Sequence, residues 1–464
     1  MAGKVGLQSD IEPRLDRLPF ARWHIKVIFA LGLAWMLDSL EASIIGSVLG
    51  ILQKLWAFTP LQGSLTVSVW LIGIMVGAVV FGYLADRYGR KPMFILTLLW
   101  YASFTVLAAF SVNIWMFIFA RFMAAVGIGG EYSAISSAVV EFLPKRLRGR
   151  IDAFVMSMWP VGAIISAALV LSALRVFSPD IAWRAGLLVA VVLAAFALYI
   201  RRNLPESPRW LMDRGRGAEA RAIVGQAEAE VMKSRKMKSL PAVEPVTIYP
   251  EKRSAWQDTR ELFLKWPLRL FVGASLNFSQ VALGYGSIAY AAVMLFPMTK
   301  TPAEVVPFYM MLAFGAAFLG GLTSTFMVDF VGRKVTGVIS YLSYPFAAMS
   351  MMLVKTPLTA LLSLSLMQFS YTWGWVTEYV IKSEIFPTRV RAAGIGWCTF
   401  FGRLGGVIAP PLLAGVWEAT NSPLAVSLTL AALISPGWIA ASIWAKFGIE
   451  GRRKALEELV TEKR

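Results

Sequence analysis

The stretch GYLADRYGRKP, residues 82–92, lies between two long apolar runs and guides the interpretation of the whole chain. One acid, Asp86, is followed by the bases Arg87, Arg90 and Lys91. Charged side chains are costly inside a bilayer. So much charge in so short a gap therefore predicts a polar turn outside the membrane, at which one apolar helix ends and the next begins.

The composition is that of a membrane protein. Of the 464 residues, 57% are hydrophobic and 16% are charged, whereas soluble domains are about 45–50% apolar and about 25% charged. Because about 20 consecutive apolar residues span a bilayer, the hydropathy pattern predicts twelve transmembrane helices, and their short loops make them antiparallel neighbours in a bundle. The predicted spans are 25–49, 63–85, 93–112, 114–140, 152–174, 181–200, 268–295, 307–328, 335–354, 357–381, 393–415 and 423–445.

The net charge of +17 follows the predicted topology. Loops on one side of the spans hold most of the Lys and Arg, including the segments 1–24 and 201–265, and the opposite loops hold few. The positive-inside rule therefore predicts an integral protein of the cell membrane with both termini in the cytoplasm. This placement explains the basic balance without nucleic acid as a partner. The polar first segment has no apolar core, which argues against a secretory signal peptide.

The chain lacks the residue patterns of an enzyme. The sequence contains no nucleotide-binding loop, no metal-ligand cluster and no nucleophile–base pair, so we expect neither catalysis nor a cofactor. His24, the only histidine, stands at the start of the first span, so a proton that crosses this membrane domain must be carried by a carboxylate. The single cysteine, Cys398, cannot form an intramolecular disulfide.

Two motifs recur at a constant offset of 243 residues. GYLADRYGRK is matched by MVDFVGRK at 327–334, and EFLPKRLRG at 141–149 is matched by EIFPTRVRA at 384–392. Two unrelated motifs with one offset predict duplication of a six-helix unit, a symmetry typical of transporters whose substrate site lies between the repeats. The predicted parts are an N-terminal six-helix bundle (1–200), a basic cytoplasmic linker with short helices (201–265), a C-terminal six-helix bundle (266–446) and a cytoplasmic tail (447–464).

These motifs resemble those of the major facilitator superfamily. Further matching stretches are MLDSLEASIIG (36–46), RFMAAVGIGGEY (121–132), LPESPRWL (204–211), SEIFPTRVRAAG (383–394) and GRLGG (402–406). Within the superfamily the chain looks most like the niacin-transporter, synaptic-vesicle-glycoprotein-like, metabolite:proton symporter and organic-ion branches. The resemblance implies an all-α membrane protein with two pseudo-symmetric six-helix bundles that works by alternating access, as a monomer. The polar motif of sugar porters is absent from the seventh span, which counts against a sugar.

Charges at the cytoplasmic ends of the spans predict a gate. Asp86 can accept hydrogen bonds at the end of a facing helix, where the helix dipole favours an anion, and Gly82 would let its helix approach a neighbour closely. Arg90 can pair with Glu141, and Arg333 with Glu384. The predicted gate residues are Gly82, Asp86, Arg90, Glu141, Arg148, Glu206, Arg209, Asp329, Arg333, Glu384 and Arg391. The alternative is that these charges only fix the topology.

Four charges within the spans are candidates for proton coupling: Asp38, Glu41, Arg121 and Glu131. Asp38 and Glu41 lie one turn apart on the first span. The resemblance implies that the first and fourth spans line the central cavity, and in sugar-porter relatives an acid and an arginine at the position of Arg121 form the proton-linked pair, which favours Glu41. A buried carboxylate stays ionised beside an arginine and gains a proton when the two separate. The alternative is a static pair that joins two helices.

Arg403 points to the substrate. Its repeat equivalent is Pro160, so only one half carries the charge, and an arginine fork binds a carboxylate through two hydrogen bonds. In organic-ion relatives a basic residue here is typical of anion carriers. The alternative is a pair between Arg403 and Glu378. Other substrate-binding candidates are the aromatic residues Trp373 and Tyr379, which could stack on a flat ring, and the polar residues Asn277, Gln280 and Tyr285, which could instead join helices.

The sequence therefore predicts a secondary transporter, in the first place a proton-coupled symporter of a small organic anion such as an aromatic, niacin-like carboxylate. A sugar or organic-cation porter or facilitator and a transporter-like sensor remain as alternatives. The expected partners are a small-molecule substrate, protons and the lipid bilayer.

Overall fold

The computed structural model describes residues 7–142, 155–202, 206–248, 255–387 and 390–448. Twelve long helices correspond to the predicted spans, which confirms the predicted fold. In chain order they are α2 (Arg22–Trp56), α3 (Pro60–Tyr88), α4 (Arg90–Ala109), α5 (Ile114–Phe142), α6 (Met158–Leu174), α7 (Pro179–Arg202), α11 (Pro267–Tyr290), α12 (Val306–Phe330), α13 (Arg333–Met349), α14 (Pro357–Ile385), α15 (Arg391–Thr420) and α16 (Pro423–Phe447). By length and composition alone, seven of the described helices can cross a bilayer, and α6 and the described apolar stretch Ile114–Gly130 of α5 are shorter.

Shorter elements lie before the first span and between the two sets of six helices. They are strand β1 (Leu7–Ser9), α1 (Ile11–Asp16), α8 (Pro208–Asp213), α9 (Gly217–Arg235), strand β2 (Val246–Ile248) and α10 (Ala255–Lys265). The two strands pair antiparallel, with Gln8 opposite Thr247. The helix α11 continues through a π-helical turn, Ala291–Leu295, and a last turn, Phe296–Met298.

Local sequence signals explain where several spans begin. Thr59 and Thr356 each accept a hydrogen bond from the backbone N–H three residues later, and a proline follows each of them as the first helical residue. A hydroxyl at the N-cap satisfies a backbone donor, and proline fits the first turn because its missing N–H has no partner there. Ser422 begins α16 in the same way.

The repeated GRK motif forms a tight turn in both halves. Gly89 joins α3 to α4 with φ of 100°, and Gly332 lies between α12 and α13 with φ of 108°. Only glycine adopts this backbone conformation without strain. The two glycines are 243 residues apart, so the sequence repeat is also a repeat of backbone conformation.

Helix packing repeats as well. In the first half α2 packs on α6, α3 on α5 and α4 on α7, and in the second half the equivalent helices form the same pairs: α11 with α15, α12 with α14 and α13 with α16. Between the halves α3 packs on α15, and its repeat equivalent α12 packs on α6. The two halves are thus related by pseudo-two-fold symmetry, and the centre of the molecule lies between them.

The tightest contact between α3 and α5 is at Gly77. A Cβ there would overlap the carbonyl oxygen of Val126, and at the repeat equivalent Gly320 a Cβ would overlap the carbonyl oxygen of Phe369. No described atom lies within 4 Å of the Cβ position at Gly82. Among the described residues the close approach is made by Gly77, one and a half turns further from the GRK turn than Gly82, and the role of Gly82 stays a prediction.

The bundle has two ends. The terminal face is the end at which α2 begins at Arg22 and α16 finishes at Phe447, and the opposite face is the end at which α2 finishes at Trp56. The opposite face is closed between the halves, because the N–H of Leu61 donates to Oε1 of Glu418 over 2.8 Å. On the terminal face α9 packs on α1 and α2, whereas α10 packs on α15 of the second half.

Candidate functional site

A cavity lies at the centre of the molecule, between the two halves. Its volume is about 20 Å³, room for roughly one water molecule. The first half lines it with residues that include Ala42, Ser43, Thr66, Trp70, Arg121, Trp159 and Pro160, and the second half with Gly284, Tyr285, Ile288, Phe314, Gln368, Tyr371 and Thr372. Because so small a cavity cannot hold an organic solute, the helices around it must move apart before one can enter.

A buried ion pair lies beside this cavity, and its arginine, Arg121, is one of the lining residues. Glu41 on α2 and Arg121 on α5 are each 1% exposed. Nη1 of Arg121 donates to Oε1 of Glu41, and Nη2 donates to the backbone carbonyl of Glu41 over 3.1 Å. The indole N–H of Trp70 donates to Oε2 over 3.3 Å. Both carboxylate oxygens therefore have donors, and the negative charge is balanced by the arginine beside it.

Trp70 also contacts the arginine. The guanidinium carbon of Arg121 lies 5.9 Å from the centre of the indole ring, a distance at which cation and ring attract each other. Removing one partner of a buried charge pair typically costs about 3–5 kcal/mol. The structure thus brings together the two residues that the sequence paired, and adds Trp70, whose role no sequence signal indicated.

The other two proton-coupling candidates have different outcomes. Asp38 is 1% exposed and lies one turn closer to the terminal face than Glu41. The side chain of Glu131 lies outside the described residues, so its proximity to Asp38 stays a prediction.

An aromatic cluster borders the cavity on the side of the terminal face. Trp375 lies at its centre, with ring centroids 6.3 Å from Trp35, 6.0 Å from Trp159 and 6.2 Å from Tyr371. Trp35 and Trp159 belong to the first half, and Tyr371 and Trp375 to the second. The cluster therefore closes the space between the halves on the terminal-face side of the cavity. Its rings must move apart if a solute is to pass.

Two of the aromatic residues that the sequence suggested for stacking, Trp373 and Tyr379, do not line the cavity. On a helix of 3.6 residues per turn, Gln368, Tyr371 and Thr372 share the cavity face, and Trp373 turns away from it. Tyr379 lies on the same helix face as Gln368 and Thr372, but two turns closer to the terminal face, where its ring contacts the ammonium of Lys382.

A second buried charge cluster lies within the second half. Glu378 on α14 is completely buried. Its Oε1 accepts a hydrogen bond from the side-chain amide of Asn277 over 2.9 Å and forms an ion pair with Nζ of Lys382 at 3.1 Å. Its Oε2 has no hydrogen-bond partner among the described residues. The alternative pairing of Arg403 with Glu378 is therefore wrong, since the base at this carboxylate is Lys382.

Sequence reasoning missed Lys382, which it counted among the cytoplasmic charges. The signal was available, because Glu378 and Lys382 are four residues apart on one helix and such pairs face each other. Asn277 was singled out, and its amide joins α11 to α14 as the helix-joining alternative had it. Gly402 of α15 lies against the same amide, since a Cβ there would overlap its oxygen.

Arg403 follows Gly402 and is half-buried. It lies close enough to Tyr285 for its charge to act on the phenol. Tyr285 lines the cavity, so Arg403 stands behind one cavity residue. Gln280 is buried one turn from Tyr285 and is absent from the cavity lining.

Comparison with known proteins identifies this architecture. The model of the sugar (and other) transporter family matches residues 39–432. The chain belongs to this family of major facilitator transporters.

Particular members of the superfamily resemble the chain over most of its length. The niacin transporter NiaP of Acinetobacter baylyi is 30% identical over 411 residues, which cover 86% of this chain and 89% of NiaP. The organic cation/carnitine transporter 7 of Arabidopsis thaliana is 25% identical, with 90% of each chain covered. A partially occluded inward open structure of the xylose transporter XylE from E. coli superimposes with a TM-score of 0.72 at 18% identity, covering 94% of this chain and all of XylE.

These comparisons confirm an integral membrane protein of the major facilitator superfamily. Proteins of this superfamily move solutes across membranes and are not enzymes.

One of the transporter's predicted gate pairs and two further predicted gate residues have described contacts. In the second half Nη2 of Arg333 lies 3.2 Å from Oε1 of Glu384, as the sequence paired them. Glu206 instead accepts from a backbone group: its Oε2 lies 3.1 Å from the N–H of Lys91, at the start of α4. A carboxylate in this position stabilises a helix N-terminus. Arg391 donates to the carbonyl of Phe386 over 3.3 Å.

The remaining gate predictions concern side chains outside the described residues. These are Asp86, Arg90, Glu141, Arg148, Arg209 and Asp329. Their pairing stays a prediction.

Proposed function

We propose that this transporter couples the entry of protons to the uptake of a small organic anion, an aromatic carboxylate of the niacin type. The observation that supports it most strongly is the buried Glu41–Arg121 pair, whose arginine lines the central cavity. We further propose that it lies in the cell membrane with the terminal face in the cytoplasm, because the basic segments lie on that face.

The pair can link protonation to the orientation of the cavity. In the closed conformation Arg121 balances the charge of Glu41. A movement of α2 against α5 within the first half, linked to the change in cavity orientation, would separate these side chains and leave a carboxylate in an apolar surrounding, where the neutral form is favoured. A proton taken up at that moment reaches the other side when the halves return, since each state of the cavity prefers one protonation state.

Arg403 supplies the preference for an anion. Its positive charge acts on Tyr285, a residue of the cavity wall contributed by the second half. A planar fork matches the two oxygens of a carboxylate, and the aromatic cluster around Trp375 offers ring faces for a flat solute. The relative NiaP is named a niacin transporter, and niacin combines an aromatic ring with a carboxylate.

The cytoplasmic gate is part of the same proposal. The Arg333–Glu384 ion pair in the second half would break when the cytoplasmic side opens and form again when it closes. The predicted contacts of Asp86 in the first half would change in the same way. An exposed pair contributes about 0–1 kcal/mol, so several are needed to bias the two orientations.

A second candidate is a porter for sugars or organic cations. The family description names sugars, and one relative is named an organic cation/carnitine transporter. A transporter-like sensor is a third and less favoured candidate function.

The substrate class can be tested with purified protein in vesicles at a fixed pH gradient. Nicotinate and its amide, nicotinamide, have nearly the same shape but differ in charge. We expect nicotinate to bind more tightly, and Arg403→Ala to weaken its binding about ten- to a hundredfold, equivalent to about 1.5–3 kcal/mol for a hydrogen bond to a charged group. Arg403→Lys should rescue it poorly, because lysine lacks the fork.

The control is Arg175→Ala, which removes an exposed arginine outside the cavity. It should leave both affinities unchanged. If Arg403→Ala weakens acid and amide equally, or if neither binds while a sugar or an organic cation does, the anion proposal fails.

A further inference from the structure

The helix α10 joins the linker to the second half at the edge of the membrane domain. It ends at Lys265, and the spanning helix α11 begins only two residues later, at Pro267. It is fastened to α15, because the indole N–H of Trp397 donates to Oγ1 of Thr259 over 3.2 Å and the ring of Phe263 meets Trp397 edge-on. Its position therefore coincides with the boundary between bilayer and water.

One face of α10 is apolar and uncovered. Trp256 is 73% exposed, Leu264 is 68% exposed, and Phe263 is exposed beside them. Positions 256, 260, 263, 264 and 267 fall within one sector of a helix of 3.6 residues per turn. Large apolar side chains in such a patch mark an interaction surface.

This patch continues the lipid-facing surface of the bundle. Leu268 and Phe271 at the start of α11 and Phe400 on α15 are also exposed. Since α11 and α15 span the membrane, these side chains face acyl chains, and the patch on α10 extends the same apolar surface to the level of the headgroups.

The charges on α10 are separated by face. The acids Asp258 and Glu261 lie on the half-buried side, and Arg260 is exposed within the apolar sector. Lys265 is exposed at the end of the helix, with its ammonium 3.5 Å from Glu261. A helix with apolar anchors, exposed bases and its acids turned inward has the pattern of an interfacial helix that binds anionic lipid.

We propose that α10 lies in the headgroup layer on the terminal face and binds anionic phospholipid. Trp256, Phe263 and Leu264 enter the boundary between headgroups and acyl chains, and Arg260 contacts a lipid phosphate. The bilayer surface thereby holds the end of the linker against α15. This inference requires only that the chain spans the membrane, and it does not depend on the identity of the substrate.

The test uses the full chain in vesicles of phosphatidylcholine, with or without a quarter of phosphatidylglycerol. In a Cys398→Ala background, a bimane label is attached at Trp256→Cys or, separately, at Leu264→Cys, so that each variant keeps the other apolar anchor. We expect both labels to be quenched by nitroxide lipids labelled near the headgroup and to be protected from aqueous iodide, most strongly with phosphatidylglycerol.

The charge requirement is tested in the same vesicles. One basic residue near an anionic surface contributes about 1 kcal/mol, so Arg260→Gln should lower the ratio of lipid-bound to water-exposed label about fivefold. Arg221→Gln removes an exposed arginine from α9 and should change nothing. A label at Arg221→Cys should be quenched by iodide in every vesicle.

Two results would overturn the proposal. Iodide quenching at both positions in all vesicles would place α10 in water. Equal protection with and without phosphatidylglycerol, unaffected by Arg260→Gln or by salt, would show an apolar contact without selectivity for anionic lipid.

Discussion

Glu41 accepts hydrogen bonds from three donors. Two of the donors belong to Arg121 and one to Trp70. A glutamine in its place keeps the shape but loses the negative charge that balances the arginine. Under the proposed mechanism, proton coupling rather than solute binding depends on that charge.

We therefore expect Glu41→Gln to abolish accumulation of substrate driven by a pH gradient, while exchange between pre-loaded vesicles continues. Radiolabelled uptake and exchange on the same vesicles measure both. Glu244→Gln, an exposed acid of the linker, is the matched control. Concentrative uptake by Glu41→Gln would transfer the proton role to Asp38 or Glu131.

The buried Glu378 depends on Lys382. Lys382→Met leaves the carboxylate without its cation and should destabilise the protein by about 3–5 kcal/mol, the usual cost of breaking a buried pair. Glu378→Gln combined with Lys382→Met removes both charges and should recover most of the loss. Thermal unfolding in detergent measures this double-mutant cycle. Additive losses would show that the two residues act independently.

Among elements, α3 and α12 share one close contact with a neighbouring helix. Gly77 and Gly320 each face a backbone carbonyl on the neighbouring helix, at equivalent positions of the repeat. Close backbone approach through small residues is a main source of helix association in membranes. The glycine of the charged motif itself, Gly82, has no such neighbour among the described residues.

Gly77→Ala and Gly320→Ala should accordingly destabilise the folded protein by about 1–3 kcal/mol or more, as overpacking does. Gly82→Ala is the control on the same helix and should be neutral or slightly stabilising, because alanine is the better helix former. The fraction of monodisperse protein after heating separates the three variants. A large loss for Gly82→Ala would place a close contact there instead.

At the scale of the whole molecule, the segment before the first span is fastened to the linker. Arg14 on α1 donates to both carboxylate oxygens of Glu228 on α9, over 3.0 Å and 2.7 Å, and Arg17 donates to the same carboxylate. Ile11 and Leu15 are buried in the same contact. Together with the pairing of β1 and β2, this joins the N-terminus, the linker and the start of α2 into one unit.

The contact should depend on pH. Hydrogen bonds, above all from Arg14, hold the pKa of Glu228 below its ordinary value, which is about 4.3 in an unfolded chain. The pair therefore stabilises the contact fully above that pH, and the contribution is lost as pH falls below it through the lowered pKa. After correction for the intrinsic exchange rate at each pH, the protection of α1 amides from hydrogen exchange should fall over this acidic range, and Glu228→Gln should lower that protection already at neutral pH and remove its pH dependence. Unchanged exchange in that variant would contradict the role of the pair.

Much of this architecture could be predicted from the sequence. A bilayer offers no partner to backbone N–H and C=O groups, so long apolar runs must be helical, and their number and order followed directly. The constant offset between GYLADRYGRK and MVDFVGRK predicted two equivalent halves, because duplicated sequence repeats its turns, as Gly89 and Gly332 show. A few charges within the spans, among them Glu41 and Arg121, were conspicuous because each is costly in an apolar surrounding.

Only the tertiary structure decided which faces meet. A span that is apolar on all sides carries no stripe to show which side is inward, so Trp35 and Trp159 were indistinguishable from lipid-facing aromatics, and Trp373 seemed as suitable as Trp375. The contact of Glu378 with Asn277 and the site of close helix approach at Gly77 were likewise set by contacts between residues far apart in sequence. The spacing of side chains along one helix is a local property that can be predicted from the sequence. The rotation of that helix about its axis, which decides the face it turns to its neighbours, is fixed by packing of the whole bundle.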